Sequence, residues 1–140
     1  MSQSWEDAAT ALAEQIVSVL GLTVNSERLT DKLLRLRIIP VSRESSPISL
    51  VISRCEVLFF AGNGTQFDLS PLPESASELL RLVEGVAHGG LTEVTRRGRV
   101  KFELRLDDGT VRTGASYRRS PQSGTGGRMV IHYKAYGDPR

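Results

Sequence analysis

Few side chains in this sequence have the types and spacing that enzyme chemistry requires. Cys55 is the single cysteine and lies in an apolar run, which predicts a buried, inert thiol. His88 follows a predicted helix, where an imidazolium interacts favourably with the helix dipole, and His132 has no acidic neighbour within two residues. One cysteine and two histidines give no spacing typical of a metal site. The sequence therefore predicts no catalytic residue, no cofactor and no metal.

Two further motifs have structural explanations. The glycine-rich segment 123–128 would need a strand before it and a helix after it to hold a phosphate, but a strand is predicted to follow it. Asp107 and Asp108 lie in a predicted turn, where aspartate is common because its side chain bonds to the local backbone. An enzyme whose pocket lies between helix and sheet and has no recognisable motif remains an open alternative.

Charge is the most informative feature of the sequence. Residues 1–92 carry 7 Lys and Arg against 11 Asp and Glu, which gives a net charge of −4. Residues 93–140 carry 11 Lys and Arg against 5 Asp and Glu, which gives +6. Such an asymmetry between the halves of a chain favours a contact surface for an acidic partner.

Alternation in the C-terminal half predicts where this charge lies. Apolar residues alternate with charged residues over 99–106, so the charged ones face away from the core if the apolar ones face it. Arg112 is expected to face outward if Val111 faces inward. The last strand is predicted over about 128–136, with Met129, Ile131 and Tyr133 facing inward and Arg128, His132, Lys134 and Tyr136 facing outward. This reasoning predicts one exposed cationic sheet surface as the partner-binding site, formed by Arg99, Lys101, Arg105, Arg112, His132 and Lys134. A solvated face that only maintains solubility is the alternative, and Glu103 dilutes the charge.

Two helices and two groups of strands form the predicted scaffold. Apolar stripes with helical spacing predict helices over about 5–20, capped by Ser4, and about 73–87. The runs 48–52 and 57–61 are continuously apolar, which is typical of strands covered on both faces. We expect a single α+β domain, residues 1–140, with an antiparallel sheet of about six to eight strands and both helices on one face. We also expect two similar halves, each a helix followed by a β-meander, and a flexible loop at about 120–127.

The functional expectation rests on what the sequence lacks and on its charge. No apolar run is long enough for a membrane helix and the first residues do not resemble a signal peptide, so we expect a cytoplasmic protein with no membrane partner. Its 15 Arg against 3 Lys favour a GC-rich bacterial genome. In general type the chain is similar to toxin-neutralising immunity proteins and small adaptors, with no shared motif. We expect a non-enzymatic protein-binding module, an immunity protein or chaperone-like adaptor, with an acidic protein as partner. Nucleic acid or another anionic ligand is the alternative, and a homodimer is compatible with the sequence.

Overall fold

The computed structural model describes residues 4–117 and 128–137, so the predicted loop at about 120–127 lies outside the described residues. Within these ranges there are two helices, α1 (Trp5–Leu20) and α2 (Ala76–Ala87). The strands of the first half are β1 (Val24–Thr30), β2 (Leu33–Ile38), β3 (Ile48–Ile52), β4 (Val57–Ala61) and β5 (Thr65–Leu69). Those of the second half are β6 (Leu91–Arg96), β7 (Arg99–Arg105), β8 (Val111–Tyr117) and β9 (Arg128–His132).

The strands form two antiparallel sheets. Sheet A has the order β1-β2-β3-β4-β5, and sheet B has the order β8-β7-β6-β9. Each half of the chain is a helix followed by strands, which confirms the α+β class with antiparallel pairing. The described strands number nine, slightly more than expected, and are divided between two sheets. The second half departs from a simple meander because β9 pairs with β6 and not with β8.

Local sequence explains the ends of the first helix. The Oγ of Ser4 accepts a hydrogen bond from the Asp7 N–H at 3.1 Å, which satisfies one of the amides that a helix leaves unpaired at its N-terminus. Gly21 ends α1 in the left-handed region at φ 68°, where glycine carries no Cβ penalty. The helix buries its apolar stripe against β1 and β2 and also contacts α2, which packs on β7.

The core lies on the inner face of sheet A. Alternate residues of its central strands are buried, with Leu50 and Phe59 completely so, and each such side chain contributes roughly 1.5–3 kcal/mol. The other face of β3 and β4 is half-buried, so these strands are fully covered on one side only. The prediction of a buried Cys55 is wrong. The apolar run is two strands joined by a turn, and Cys55 lies exposed in that turn, with its N–H donated to Ser53 Oγ at 3.1 Å.

A buried carboxylate joins the two sheets. Glu93 of β6 is 0% exposed and accepts four hydrogen bonds, two at each oxygen. Its Oε1 accepts the Asn63 N–H at 2.8 Å and the Tyr133 hydroxyl at 2.7 Å. Its Oε2 accepts the Gly64 N–H at 3.0 Å and the Thr65 hydroxyl at 2.6 Å. Burial raises the pKa of Glu93, but these hydrogen bonds lower it by more, so the pKa of this carboxyl lies below its ordinary value.

The carboxylate of Glu93 lies on the inner face of β6, together with the buried side chains of Leu91 and Thr95. The β4–β5 turn packs on the inner face of sheet B, where the ring of Phe67 meets that of Phe102 edge-on at a centroid distance of 5.3 Å. Because Glu93 points inward to this turn, its neighbours Thr92 and Val94 point outward. We call the side of sheet B on which Thr92 and Val94 lie, away from the core, its outer face.

Candidate functional site

A tight turn between β6 and β7 presents a group of arginines. Arg97 and Gly98 have φ of 53° and 81°, the positive values that a two-residue type I′ hairpin requires. Arg97 is the one non-glycine residue with positive φ in the described part of the chain, and this conformation costs a residue with a Cβ about 1–2 kcal/mol. The turn places Arg96 directly opposite Arg99 on the outer face.

The pairing of β6 with β9 extends this arrangement to a third arginine. Arg96 lies opposite Arg128 on β9 as well as opposite Arg99 on β7, and all three are exposed. Neighbouring strands are about 4.8 Å apart, so these three arginine positions form one cross-strand row. We call this the arginine row. Like charges directly opposite each other destabilise a sheet, so the row is unfavourable unless an anion compensates it.

The arginine row borders a depression of about 640 Å³ on the outer face of sheet B. It is lined by Val94 and by five cations: Arg96, Arg97, Arg99, Lys101 and Arg128. We refer to this region as the cationic depression. The ion pairs found within 4–117 and 128–137 use other cations, namely Arg28, Arg35, Arg81, His88, Arg112 and Lys134. Among the described residues, therefore, no acidic side chain forms an ion pair with the cationic depression.

The structure places four of the six predicted site residues on the outer face of sheet B. Arg99, Lys101 and Arg105 are exposed along β7 and alternate with buried apolar residues, as the pattern predicts. His132 lies on the same face of β9, where its Nδ1 forms a hydrogen bond of 2.8 Å with the hydroxyl of Thr92. Of these four, Arg99 and Lys101 belong to the cationic depression, whereas Arg105 and His132 lie outside it.

The predicted position of Arg112 is wrong. It lies opposite Leu104 on the inner face of sheet B, and its guanidinium pairs with Glu78 of α2 at 3.0 Å. The prediction assumed that Val111 faces inward, but the register of β7 with β8 sets Val111 opposite Arg105, on the outer face. The acidic partner on α2 explains why a cation is accommodated on the inner side.

The last strand ends earlier than predicted, which also displaces Lys134. Lys134 follows β9, donates its N–H to the Glu44 carbonyl at 3.0 Å and pairs its ammonium with the Glu44 carboxylate, so it is not part of the outer sheet face. Tyr136, predicted to face outward, is buried and donates its hydroxyl to the Ser46 carbonyl. Burial raises the pKa of this phenol well above its ordinary value. Both residues hold the chain after β9 against the segment 44–46.

Sequence reasoning left three residues of the cationic depression out of the predicted site. Arg96 and Arg97 were missed because Arg-Gly was not interpreted as a hairpin turn, although Gly98 between two alternating stretches indicates one. Arg128 was expected to face outward but was not grouped with the others. Only the pairing of β6 with both neighbouring strands brings it to Arg96.

A second group of titratable residues joins α2 to the β7–β8 turn. His88 Nδ1 lies 2.8 Å from the Asp107 carboxylate, and the Arg81 guanidinium pairs with Asp108. Burial raises the pKa of Glu84, and the neighbouring Asp107 raises it further. No cluster among the described residues has the composition of a metal site. These contacts fasten the helix to the turn.

Guanidinium groups at the cationic depression have the chemistry to bind anions, because each presents a planar fork of donors to carboxylate or phosphate oxygens. None of the helices in the described ranges is both long and apolar enough to cross a membrane. Compared with known proteins, the sequence matches no family model, no curated protein and no solved structure.

Proposed function

We propose that the protein is a non-enzymatic binding module whose outer sheet B face, centred on the cationic depression, binds an acidic surface of another protein. One observation carries this proposal: Arg96 is held directly opposite both Arg99 and Arg128 in the arginine row, and no described residue forms an ion pair with any of the three. That arrangement lowers stability. An acidic partner would neutralise the row and recover the lost energy on binding.

The composition of the face favours a protein partner over a nucleic acid. Val94 and Val130 lie opposite each other on the same face, two residues along their strands from the arginine row. Tyr117 is 80% exposed and lies opposite Arg99, at one end of the row. Arginine and tyrosine around an apolar centre are typical of protein interfaces. Sequence-tolerant binding of single strands uses several aromatic side chains for stacking, and Tyr117 is the one aromatic residue at the row in the described chain.

The most specific form of the proposal is a bacterial immunity protein or chaperone-like adaptor that holds a toxin or secreted protein in the cytoplasm. The exposed, unpaired thiol of Cys55 supports this location, because cytoplasmic conditions keep thiols reduced.

Capture of partners from a lysate of the native host tests the proposal when two matched variants are compared. The face variant carries Arg96→Glu and Arg99→Glu. The control variant carries Lys32→Glu and Arg54→Glu, which make the same change in net charge. Both control residues are exposed in turns at the end of sheet A opposite the β4–β5 turn that contacts sheet B.

We expect a protein that is retained by the wild type and the control variant and lost with the face variant. An identical set of retained proteins on both variants would contradict the proposal. Retention that disappears after nuclease treatment would replace the protein partner with a nucleic acid, and that binding should weaken steeply with added salt.

A further inference from the structure

One edge of sheet B is unpaired at β9 within the described ranges. On its other side β9 pairs with β6, and Tyr133, just beyond the strand, donates its N–H to the Leu91 carbonyl at 3.0 Å. In an antiparallel pair the hydrogen-bonded positions alternate, so this bond fixes the phase of the ladder. The backbone N–H and C=O groups of Arg128, Val130 and His132 therefore point away from β6, toward the free edge.

The side chains along this edge have a definite pattern. Val130 is 56% exposed on the outer face and Met129 is 47% exposed on the inner face, so apolar surface is available on both sides of the strand. Arg128, at the beginning of β9, belongs to the cationic depression. A strand added to this edge would thus meet a cation at one end and apolar side chains along its middle.

The free edge ends just after His132. The Glu44 carbonyl accepts the Lys134 N–H, so the segment around Glu44 closes the edge just after β9 ends at His132. The five described residues of β9 span about 17 Å at roughly 3.4 Å per residue, which accommodates a short extended segment.

We propose that β9 accepts an extended segment of the acidic partner as an additional strand of sheet B, an inference that rests on the proposed function. The segment places a carboxylate beside Arg128 and apolar side chains beside Val130 and Met129. Main-chain hydrogen bonds supply affinity in this mode of recognition, and alternate side chains supply specificity. A second copy of this chain is a poor occupant, because pairing two β9 strands would bring two cationic depressions together.

The test uses a labelled synthetic peptide in which one glutamate is followed by three valines and flanked by threonines, with binding measured by fluorescence anisotropy. The Val130→Pro variant removes an N–H that points to the free edge, where proline is tolerated, and Val130→Thr is its matched control. A second peptide has the same side chains but is N-methylated on alternate residues. That peptide tests the edge with the wild-type protein and needs no variant.

We expect about tenfold weaker binding for Val130→Pro and for the N-methylated peptide, and a much smaller change for Val130→Thr. Suppose that Arg96→Glu with Arg99→Glu abolishes binding while Val130→Pro and N-methylation leave it unchanged. The strand-addition inference is then wrong and the cationic face remains the binding surface. Failure of the wild type to bind the peptide would also overturn the inference, as would a wild-type dimer that Val130→Pro dissociates.

Discussion

Reversing the charge at the centre of the arginine row should stabilise the protein. Arg96 lies between Arg99 and Arg128, directly opposite both, so Arg96→Glu converts two repulsive cross-strand pairs into two attractive ones. Most substitutions destabilise a protein, so a gain in stability would be an unusual result. It is expected here because the register holds like charges directly opposite each other.

The magnitude can be worked from the register. A cross-strand charge pair contributes roughly 0.2–1 kcal/mol in either direction. The three side chains are exposed, which reduces each contribution toward the lower end of that range. Two converted pairs then give about 1 kcal/mol, less a few tenths for the lower strand propensity of glutamate. In a domain of this size that net gain corresponds to a rise in Tm of about 2 °C.

Thermal and urea unfolding of the wild type, Arg96→Gln and Arg96→Glu measures this effect. The neutral glutamine variant should lie between the other two, because it removes the repulsion without adding attraction. The gain should be largest at low salt and nearly disappear at about 1 M salt, where the screening length is only about 3 Å. A loss of stability in Arg96→Glu, or a gain that salt does not reduce, would refute the electrostatic reasoning.

Four further predictions concern sheet B. Arg97→Asn creates an Asn-Gly turn that accepts positive φ, so the Tm measured by calorimetry should rise, and a fall would contradict the turn assignment. In Glu93→Gln an amide NH2 replaces one carboxylate oxygen, so two of the four groups that donate to Glu93 lose their acceptor. Urea denaturation should show a loss of about 2–5 kcal/mol in the free energy of unfolding, with a smaller loss in Tyr133→Phe. Because the pKa of Glu93 is lowered in the folded state, its ionisation stabilises the protein above the unfolded pKa of about 4.3, and this contribution is lost as the pH falls through the lower, folded pKa. Unfolding measured against pH should therefore show a shallower acid-side slope in Glu93→Gln, and equal slopes would count against the assignment. Gly114→Ala would place a Cβ 2.4 Å from the Phe102 ring, so unfolding should show a loss of about 1–3 kcal/mol, and an unchanged stability would contradict this packing.

Features of the fold that depend on near neighbours in sequence could be predicted. The Ser4 cap, the Gly21 stop and the alternation along β7 are each set by residues a few positions apart. The turn between β3 and β4 is also local, but its apolar flanks conceal it, which is why Cys55 was expected to be buried. A run of apolar residues shows that strands are present and does not show where one ends.

Features that depend on pairing between distant strands could not be predicted. β8 contains a single strongly apolar residue, Val111, which is too little to show which alternate residues of the strand face the core. The face of Arg112 was therefore assigned wrongly. Glu93 is a charged residue whose backbone and threonine donors lie about thirty positions away, and nothing near it in sequence indicates burial. The cationic depression likewise required the β6–β9 register that brings Arg128 to Arg96.

The proposed role of the cationic depression is to bind an acidic protein partner. The most direct test is the comparison, by quantitative mass spectrometry, of proteins captured from host lysate by the wild type, by Arg96→Glu with Arg99→Glu, and by Lys32→Glu with Arg54→Glu. We predict a protein with an acidic surface that the wild type and the second variant retain and the first variant loses. Retention of the same proteins by both variants, at the same salt concentration, would contradict this role.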